Sequence, residues 1–381
     1  MADYQTTKQN EQAKDLMHSF AERTGLEKED GQGNRRYLWT DSFAVLNFLA
    51  LKKLQNDKVF EDYAIKAIDK VHNHLGKFAP YDTRKGWISG LPDETAQQHP
   101  TVKGLRIGKK LPERKEDDPI DQRLEWERDG QYFHYHTRWI IALLKSGRYF
   151  DKEKFIDQAT ELSLAGSRFI KEDQGSLNMY WKMSVDMSRP LIPRMGAHDP
   201  LEGLLCALQA RELSFSYDAE FDGYINKLKR LCASSDWGTD DALGIGGLLL
   251  NVVRAAELQE KIELPDSIKP ERLLRDAQQG LAAFRRLYKA NESANYRLAF
   301  RECGLSLGLR CLEGNLEFLK DHNLKPSIPD KSYVLAEEIE SFWLREENKK
   351  AATYTDHLDI NEVSIAASLL AIDQPKIYTR L

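Results

Sequence analysis

The chain alternates between two kinds of helical surface, and this alternation limits its possible folds more than any other feature. Within residues 58–75, Phe60, Tyr63, Ala64, Ala67, Ile68, Val71 and Leu75 make one apolar stripe, with Lys and Asp on the opposite face. A helix with a single stripe covers a core on one side and meets water on the other. Segments 43–51, 139–144, 243–253 and 363–372 are instead apolar nearly all round. Such helices have to be buried on every side. Alternation of the two kinds predicts two concentric layers, each outer helix covering an inner one.

The outer segments are read at 9–24, 58–75, 151–170, 219–233, 270–288 and 331–346. The inner segments are read at 41–54, 130–146, 200–213, 241–257, 300–320 and 358–372. Six such pairs predict an all-α (α/α)6 barrel, a toroid of six hairpins whose inner helices all begin at one end and line a shared cavity. An open helical-repeat solenoid is the alternative, but the pairs follow no fixed sequence period. Strand-type alternation is nearly absent. Glycine recurs inside the inner segments at Gly203, Gly244, Gly246, Gly247, Gly304 and Gly308. Interior glycine costs roughly 1 kcal/mol against alanine, so its use there predicts close approach of neighbouring backbones.

No linker rich in Pro, Gly or Ser divides the 381 residues, so residues 1–381 are read as one domain. A formal charge of −5 gives no basic footprint for nucleic acid. The polar start MADYQTTKQNEQAKD and the lack of an 18-residue apolar run argue against export and membrane insertion. Cys206, Cys232, Cys303 and Cys311 lack CxxC spacing and suit buried positions in a reducing compartment. A cytoplasmic protein is expected; oligomeric state is not legible.

Connection 78–128 is unusually long for a compact domain, where such loops are lids or disordered. Trp87, Ile88, Leu105, Ile107 and Leu111 within it argue for an ordered flap. Its GLRIGKK run (104–110) is one residue short of GxxxxGK, has Lys110 where Ser or Thr should follow, and follows no strand, so it is not a phosphate loop.

Polar and aromatic residues concentrate at the inner-helix mouths: RRYLWTDS (35–42), EWERDGQYFHYHTRW (125–139), SRPLIPRMGAHDP (188–200), SDWGTDD (235–241), NYRLAFRE (295–302) and YTDHLDINE (354–362). Asp41, Asp129, Asp199 and Asp240 or Asp241 are placed to cap a first turn. Capping does not explain the tryptophans at or near these mouths: Trp39, Trp126, Trp139, Trp181 and Trp237. Aromatic faces among carboxylates and arginines suit a sugar ring, with its apolar faces and hydroxyl edges.

Acid–base cleavage of a glycosidic bond needs paired carboxylates. Asp129 is the first candidate donor, because Trp126, Tyr132 and Tyr135 surround it in sequence and an apolar setting raises a carboxyl pKa. Asp199 and Glu302 follow. Glu125, Glu127, Asp240, Asp241, Asp359 and Glu362 complete the carboxylate supply. His134 and His136 point roughly 200° apart on a helix, so they cannot chelate one metal together. No HExxH or Cys/His cluster exists, and neither metal nor cofactor is expected. Histidines facing each other across a cavity, with His357 and His198 the candidates, would suit proton transfer at a sugar carbon. GxSxG is absent and no cysteine lies at a mouth, which removes the common nucleophile signatures.

With these segments in view, the chain resembles the six-hairpin glycosidase-like superfamily. That group includes glycoside hydrolases, unsaturated glucuronyl hydrolases and the N-acylglucosamine and cellobiose 2-epimerases. The resemblance covers the whole chain as architecture. RRYLWTDSFAVLNFLAL, EWERDGQYFHYHTRWIIALL and SRPLIPRMGAHDPLEGL also resemble bacterial proteins of this type that have no assigned activity. The superfamily's epimerases carry catalytic histidines on late inner helices; His357 matches one such place, while 237–251 has none. The Cys/His zinc motif of lanthionine-cyclase-like toroids is missing, and Asp236 with Asp240–Asp241 does not have terpene-cyclase spacing.

The expectation is a carbohydrate-active enzyme that hydrolyses a glycosidic bond in a small oligosaccharide or glycoside. A sugar epimerase, isomerase or lyase using His bases is the alternative, and a non-catalytic sugar-binding protein a second one. Expected catalytic residues are Asp129, Asp199, Glu302 and His357. Expected substrate-binding residues are Trp39, Asp41, Trp87, Glu125, His134, Arg194, His198, Trp237 and Arg301.

Overall fold

The computed structural model describes residues 2–27, 35–214, 219–324 and 331–381. In chain order the helices begin with α1 (Ala2–Arg23), α2 (Leu38–Gln55), α3 (Lys58–Leu75), α4 (Asp93–Gln98), α5 (Gln122–Glu125) and α6 (Phe133–Phe150). They continue with α7 (Glu153–Ala165), α8 (Asp199–Leu213), α9 (Ala219–Ala233), α10 (Ala242–Gln259), α11 (Pro270–Leu287) and α12 (Ala299–Glu313). The last are α13 (Leu316–Asp321), α14 (Lys331–Trp343), α15 (Glu346–Lys349), α16 (Ala352–Thr355), α17 (Leu358–Leu370) and α18 (Pro375–Thr379).

All twelve expected segments are helical; they differ from the reading at their ends and by one internal break. The inner helix read from 130 begins at Phe133 instead. Residues Gln131–Tyr132 form a strand, β1, paired with β4 (Lys182–Met183), which in turn pairs with β5 (Pro190–Ile192). Gly130 lets the chain enter this pairing: its φ is +148°, and a Cβ there would lie 2.7 Å from the Met183 carbonyl oxygen. A separate ribbon joins β2 (Ile170–Asp173) to β3 (Ser176–Met179). The segment read as 300–320 breaks into α12 and α13, with Asn315 Nδ2 donating to the Cys311 carbonyl at 2.7 Å.

The contacts divide the chain into two compact units, residues 1–23, 46–61 and 235–381, and residues 24–45 and 62–234. In the first unit α10 packs on α11 and α12, α12 on α14 and α17, and α1 on α17. The two-layer logic is visible here. In α11 the buried apolar side chains are Leu273, Leu274, Ala277 and Leu281, whereas α10 is buried through most of its length, from Ile245 to Leu258. The α10–α12 crossing is close because both helices present glycine. A Cβ at Gly246 would fall 2.1 Å from the Gly304 carbonyl oxygen, and one at Gly308 2.6 Å from that of Gly246.

In the second unit α6 packs on α7 and α8, and α8 on α7 and α9. Trp139 on α6 is fully buried and donates its indole N–H to His72 at 3.0 Å. Connection 78–128 belongs to this unit and is ordered, containing α4 and α5, with Trp87, Ile88, Leu105 and Ile107 buried. Backbone bonds from Arg106 to Leu75, Ile107 to Gly130 and Asp129 to Leu111 stitch it to the starts and ends of the helices it joins.

Candidate active site

The mouth of α6 is built around Asp129, and every acceptor position there is in use. Oδ2 accepts from Arg106 Nη1 at 2.9 Å and from the Tyr81 hydroxyl at 3.3 Å. Oδ1 accepts from the amides of Gly108 and Lys109 at 3.0 and 3.3 Å. Arg106, itself buried, also donates to the carbonyls of Lys77 and His74. All four donors come from the flap, and Arg106 carries the contact on to the end of α3, so Asp129 works as a latch that fastens the flap to the mouth of α6. A carboxylate with four donors on two oxygens is placed to hold structure rather than to reach a substrate. Glu125 is ion-paired with Arg114 Nε at 3.1 Å and Lys182 Nζ at 3.5 Å, and among the described residues only its Oε1 accepts a hydrogen bond. Burial lowers the Lys182 pKa to about 8. Asp41 pairs with Arg36 at 2.9 Å and accepts from the Tyr37 amide, anchoring the first turn of α2.

Beside the latch stands an aromatic wall. Trp39 lies 5.5 Å from Tyr135 and 5.9 Å from His134 between ring centres, and His134 stacks on Trp181 at 5.8 Å. Trp181 meets Trp126 edge-on at 4.8 Å, and Tyr132 touches both. Tyr37 and Tyr135 join through their hydroxyls at 2.6 Å. Trp126 is 47% exposed, which leaves an open indole at the edge of the wall. His134 Nδ1 accepts from Trp181 Nε1, and burial pushes the imidazole pKa down to about 3. His134 is therefore a neutral hydrogen-bonding group across the ordinary pH range.

The mouth of α8 differs. Asp199 is its first residue, His198 its N-cap and Pro200 suits the first turn. Among the described residues the buried Asp199 carboxylate accepts one hydrogen bond, from the Gly196 amide at 3.1 Å, and makes no ion pair. Glu202, one turn along α8, takes the Arg138 guanidinium and the Thr137 hydroxyl (2.9 Å). Arg138 in turn lies 5.5 Å over the Trp39 ring. Burial first, and the Glu202 charge second, raise the Asp199 pKa from 3.8 to about 7, against the pull of the Gly196 amide and Arg138. That rise corresponds to about 4 kcal/mol. A helix N-terminus contributes about 0.3–1 kcal/mol in the other direction, so the environment wins.

The remaining predicted residues of this unit do not join the wall. Trp87 is buried under Lys77, its N–H donated to Asp93 at 3.0 Å. Arg194 is exposed and His198 half-buried in the loop before α8.

The other predicted residues lie in the first unit. Trp237 is fully buried and donates to the Ser267 carbonyl at 2.7 Å, so it offers no open face. Glu302 is taken by Arg297 Nε and Nη2 (2.8 and 2.7 Å) and by the Trp343 indole at 2.8 Å. Arg301 pairs with Asp241, which also caps α10 through the Gly244 amide at 3.0 Å. His357 is exposed, its ring 6.2 Å from that of Phe300, and Asp359 and Glu362 are both held by Arg23. Asp240 is exposed. Arginine thus neutralises most of the mouth carboxylates, and buried Asp199 stands apart from them.

Glu202, Arg138, Thr137 and Tyr37 were not named as site residues from the sequence, although the last three lie in the mouth segments 35–42 and 125–139. Glu202 had a signal, the three-residue spacing from Asp199 that puts both on one helix face. Arg138 had none, because its partner lies on another helix.

No family model and no curated protein sequence matches the chain. Solved structures do. An inactive variant of the alpha-1,6-mannanase GH76A of Salegentibacter sp. HEL1_6, in complex with alpha-1,6-mannotriose, is similar over 97% of this chain and 99% of its own, with TM-score 0.55 and 10% identity. A second inactive variant of that enzyme, in complex with alpha-1,6-mannotetrose, gives the same figures. The cellobiose 2-epimerase of Spirochaeta thermophila DSM 6192 covers 89% of this chain and 86% of its own at 12% identity, with TM-score 0.47. The chain therefore has the all-α (α/α)6 barrel fold of the six-hairpin toroids.

Proposed function

We propose that the chain is a carbohydrate-active enzyme that hydrolyses a glycosidic bond in a small oligosaccharide or glycoside, with Asp199 donating the proton to the leaving oxygen. The observation that carries this reading is the setting of Asp199. It is a buried carboxyl without an ion pair among the described residues, it feels the charge of Arg138, which lies over Trp39 of the aromatic wall, and its pKa of about 7 leaves it about half protonated at neutral pH. The proposal moves the donor away from Asp129, whose oxygens are occupied by the flap latch. Trp126 and Trp181 would face the sugar ring, and the neutral His134 would bind a hydroxyl. Similarity to a mannanase bound to mannotriose makes short alpha-linked manno-oligosaccharides the first substrates to try.

A specific observation favours a second placement of the acids. The inactive mannanase variants each lack two neighbouring aspartates; this chain carries such pairs at Asp117–Asp118 and Asp240–Asp241, and the second stands at the mouth of α10.

The test is NMR of mono- and oligosaccharides in heavy water with wild type, Asp199→Asn and Asp240→Asn/Asp241→Asn. Cleavage lost only in Asp199→Asn supports the first placement, and cleavage lost only in the double variant supports the second. Exchange at ring carbons without cleavage would move the protein to the epimerase class, and silence in both readouts would leave a sugar-binding protein.

We also read residues 1–381 as one domain, which a single cooperative unfolding transition would support. Cytoplasmic placement is supported by the four cysteines, all of them buried as suits a reducing compartment. No helix among the described residues is long and apolar enough to cross a membrane.

A further inference from the structure

We infer that Glu202 is a positioning residue for Asp199: Arg138 and Thr137 on α6 fix its carboxylate on the face of α8 that carries Asp199, so the donor meets a negative neighbour while the nearby cation is diverted. This inference rests on the assignment of Asp199 as the proton donor.

The geometry is over-determined. Residues three apart on a helix share a face, which brings Glu202 alongside Asp199. Thr137 Oγ1 donates to Glu202 Oε2 at 2.9 Å, Arg138 Nη2 donates to Oε1, and the Arg138 guanidinium is itself seated over Trp39. With both oxygens engaged, Glu202 cannot turn away from Asp199 without breaking contacts to two α6 residues. Elsewhere at the mouths, arginine meets the carboxylate directly, as Arg106 meets Asp129 and Arg297 meets Glu302. At α8 the arginine meets Glu202 instead.

The other charged groups around Asp199 do not replace that missing cation. On α6, His134 accepts from Trp181 and is neutral through burial. On α7, Glu161 is turned to His99 and Thr101, and on α9, Asp222 pairs with Arg211 at the far end of α8, roughly 18 Å along the helix from Asp199. In the preceding loop, His198 holds the N-cap position of α8, half-buried and with no side-chain capping bond, and Arg194 is exposed without an ion pair among the described residues. Glu202 and Arg138 are therefore the two charges that set the proton affinity of Asp199, in opposite senses.

Opposite senses give a test that a merely structural role would not pass. The Asp199 carboxyl is titrated by NMR in protein labelled with carboxyl-13C aspartate, its resonance assigned by its loss in Asp199→Asn. In wild type the midpoint is expected near 7. In Glu202→Gln it should fall by about 1 to 3 pH units, the range that a close like charge produces. In Arg138→Gln it should rise. Glu202→Gln leaves Arg138 without its counter-charge and risks instability, so Arg138→Gln/Glu202→Gln provides a variant with the pair removed together. There the midpoint should lie below wild type, by less than in Glu202→Gln alone.

Midpoints that stay in place, or that move the same way in the two single variants, would overturn the inference. The NMR readout needs no substrate. Opposite movements together with an active Asp199→Asn would sink the donor assignment and leave the Glu202–Asp199 coupling standing; immobile midpoints with an inactive Asp199→Asn would do the reverse.

Discussion

Asp129 and Asp199 sit at the mouths of two adjacent inner helices, α6 and α8, and both are buried, yet their surroundings are opposite. Asp129 has a guanidinium, a phenol and two backbone amides on its oxygens. Asp199 has one amide and, one turn away, another carboxylate. The contrast teaches that burial does not by itself mark a reactive acid. A buried carboxylate with a full set of donors is fixed in place and fastens the structure; one with a single donor keeps the freedom to bind a proton.

The largest effect should come from acid, and it should separate the two mouths by sign. Burial lowers the pKa of His134 to about 3 and of His136 to about 4 on α6, and of His72 and His74 on α3 to about 3 and about 4. Their folded values lie below the unfolded value of 6.5, so the folded state binds fewer protons. The stability they confer is complete above pH 6.5 and is lost as pH falls towards 3. Melting temperature should drop steeply below about pH 6, and His136→Asn should soften that drop.

Breaking the latch comes next. Asp129→Ala strands the buried Arg106 and two flap amides, and should cost about 3–5 kcal/mol in denaturant unfolding. A loss below about 1 kcal/mol would mean that the latch is not what holds the flap.

Asp199→Asn should do the opposite at high pH. The folded pKa of about 7 lies above the unfolded 3.8, so the folded state binds the extra proton. The wild type is then penalised increasingly as pH rises from about 4 to 7, and fully above that. The variant should be more stable than wild type at pH 8, by up to about 4 kcal/mol, and equal to it near pH 4. Paired melts at these two pH values would check the crossover.

The smallest effect concerns the exposed edge of the wall. Trp126→Ala should weaken oligosaccharide binding by about 1 kcal/mol, roughly a factor of 5, in calorimetric titration. Unchanged affinity would remove Trp126 from the sugar site.

The layering of helices was legible because burial leaves its mark along a single chain: a stripe on α3 and α11, and apolar residues all round on α10. Gly246 and Gly308 announced the close α10–α12 crossing for the same reason. The zone that carries the proposed site was picked out by its residue types. Trp39, His134 and Asp199 were found by their position at helix mouths, and Trp126 and Tyr132 by their place beside Asp129. Which of the two acids lacks a cation was not legible, since Asp129 and Asp199 differ in partners drawn from the flap and from α6. Trp237 and Trp87 read as platforms, but tertiary packing buries both. Arg106 could not be foreseen as the partner of Asp129 across a flap whose path the sequence does not fix.

The most direct measurement is the rate of glycoside cleavage, compared across wild type, Asp199→Asn and Asp129→Asn at a temperature where all three remain folded by circular dichroism. Asp199→Asn is predicted to lose about 100- to 10,000-fold, as removal of a proton donor does. Asp129→Asn should stay within about 10-fold of wild type once folded, because its loss loosens the latch without removing the donor. The reverse pattern, with Asp199→Asn active and folded Asp129→Asn dead, would contradict the account.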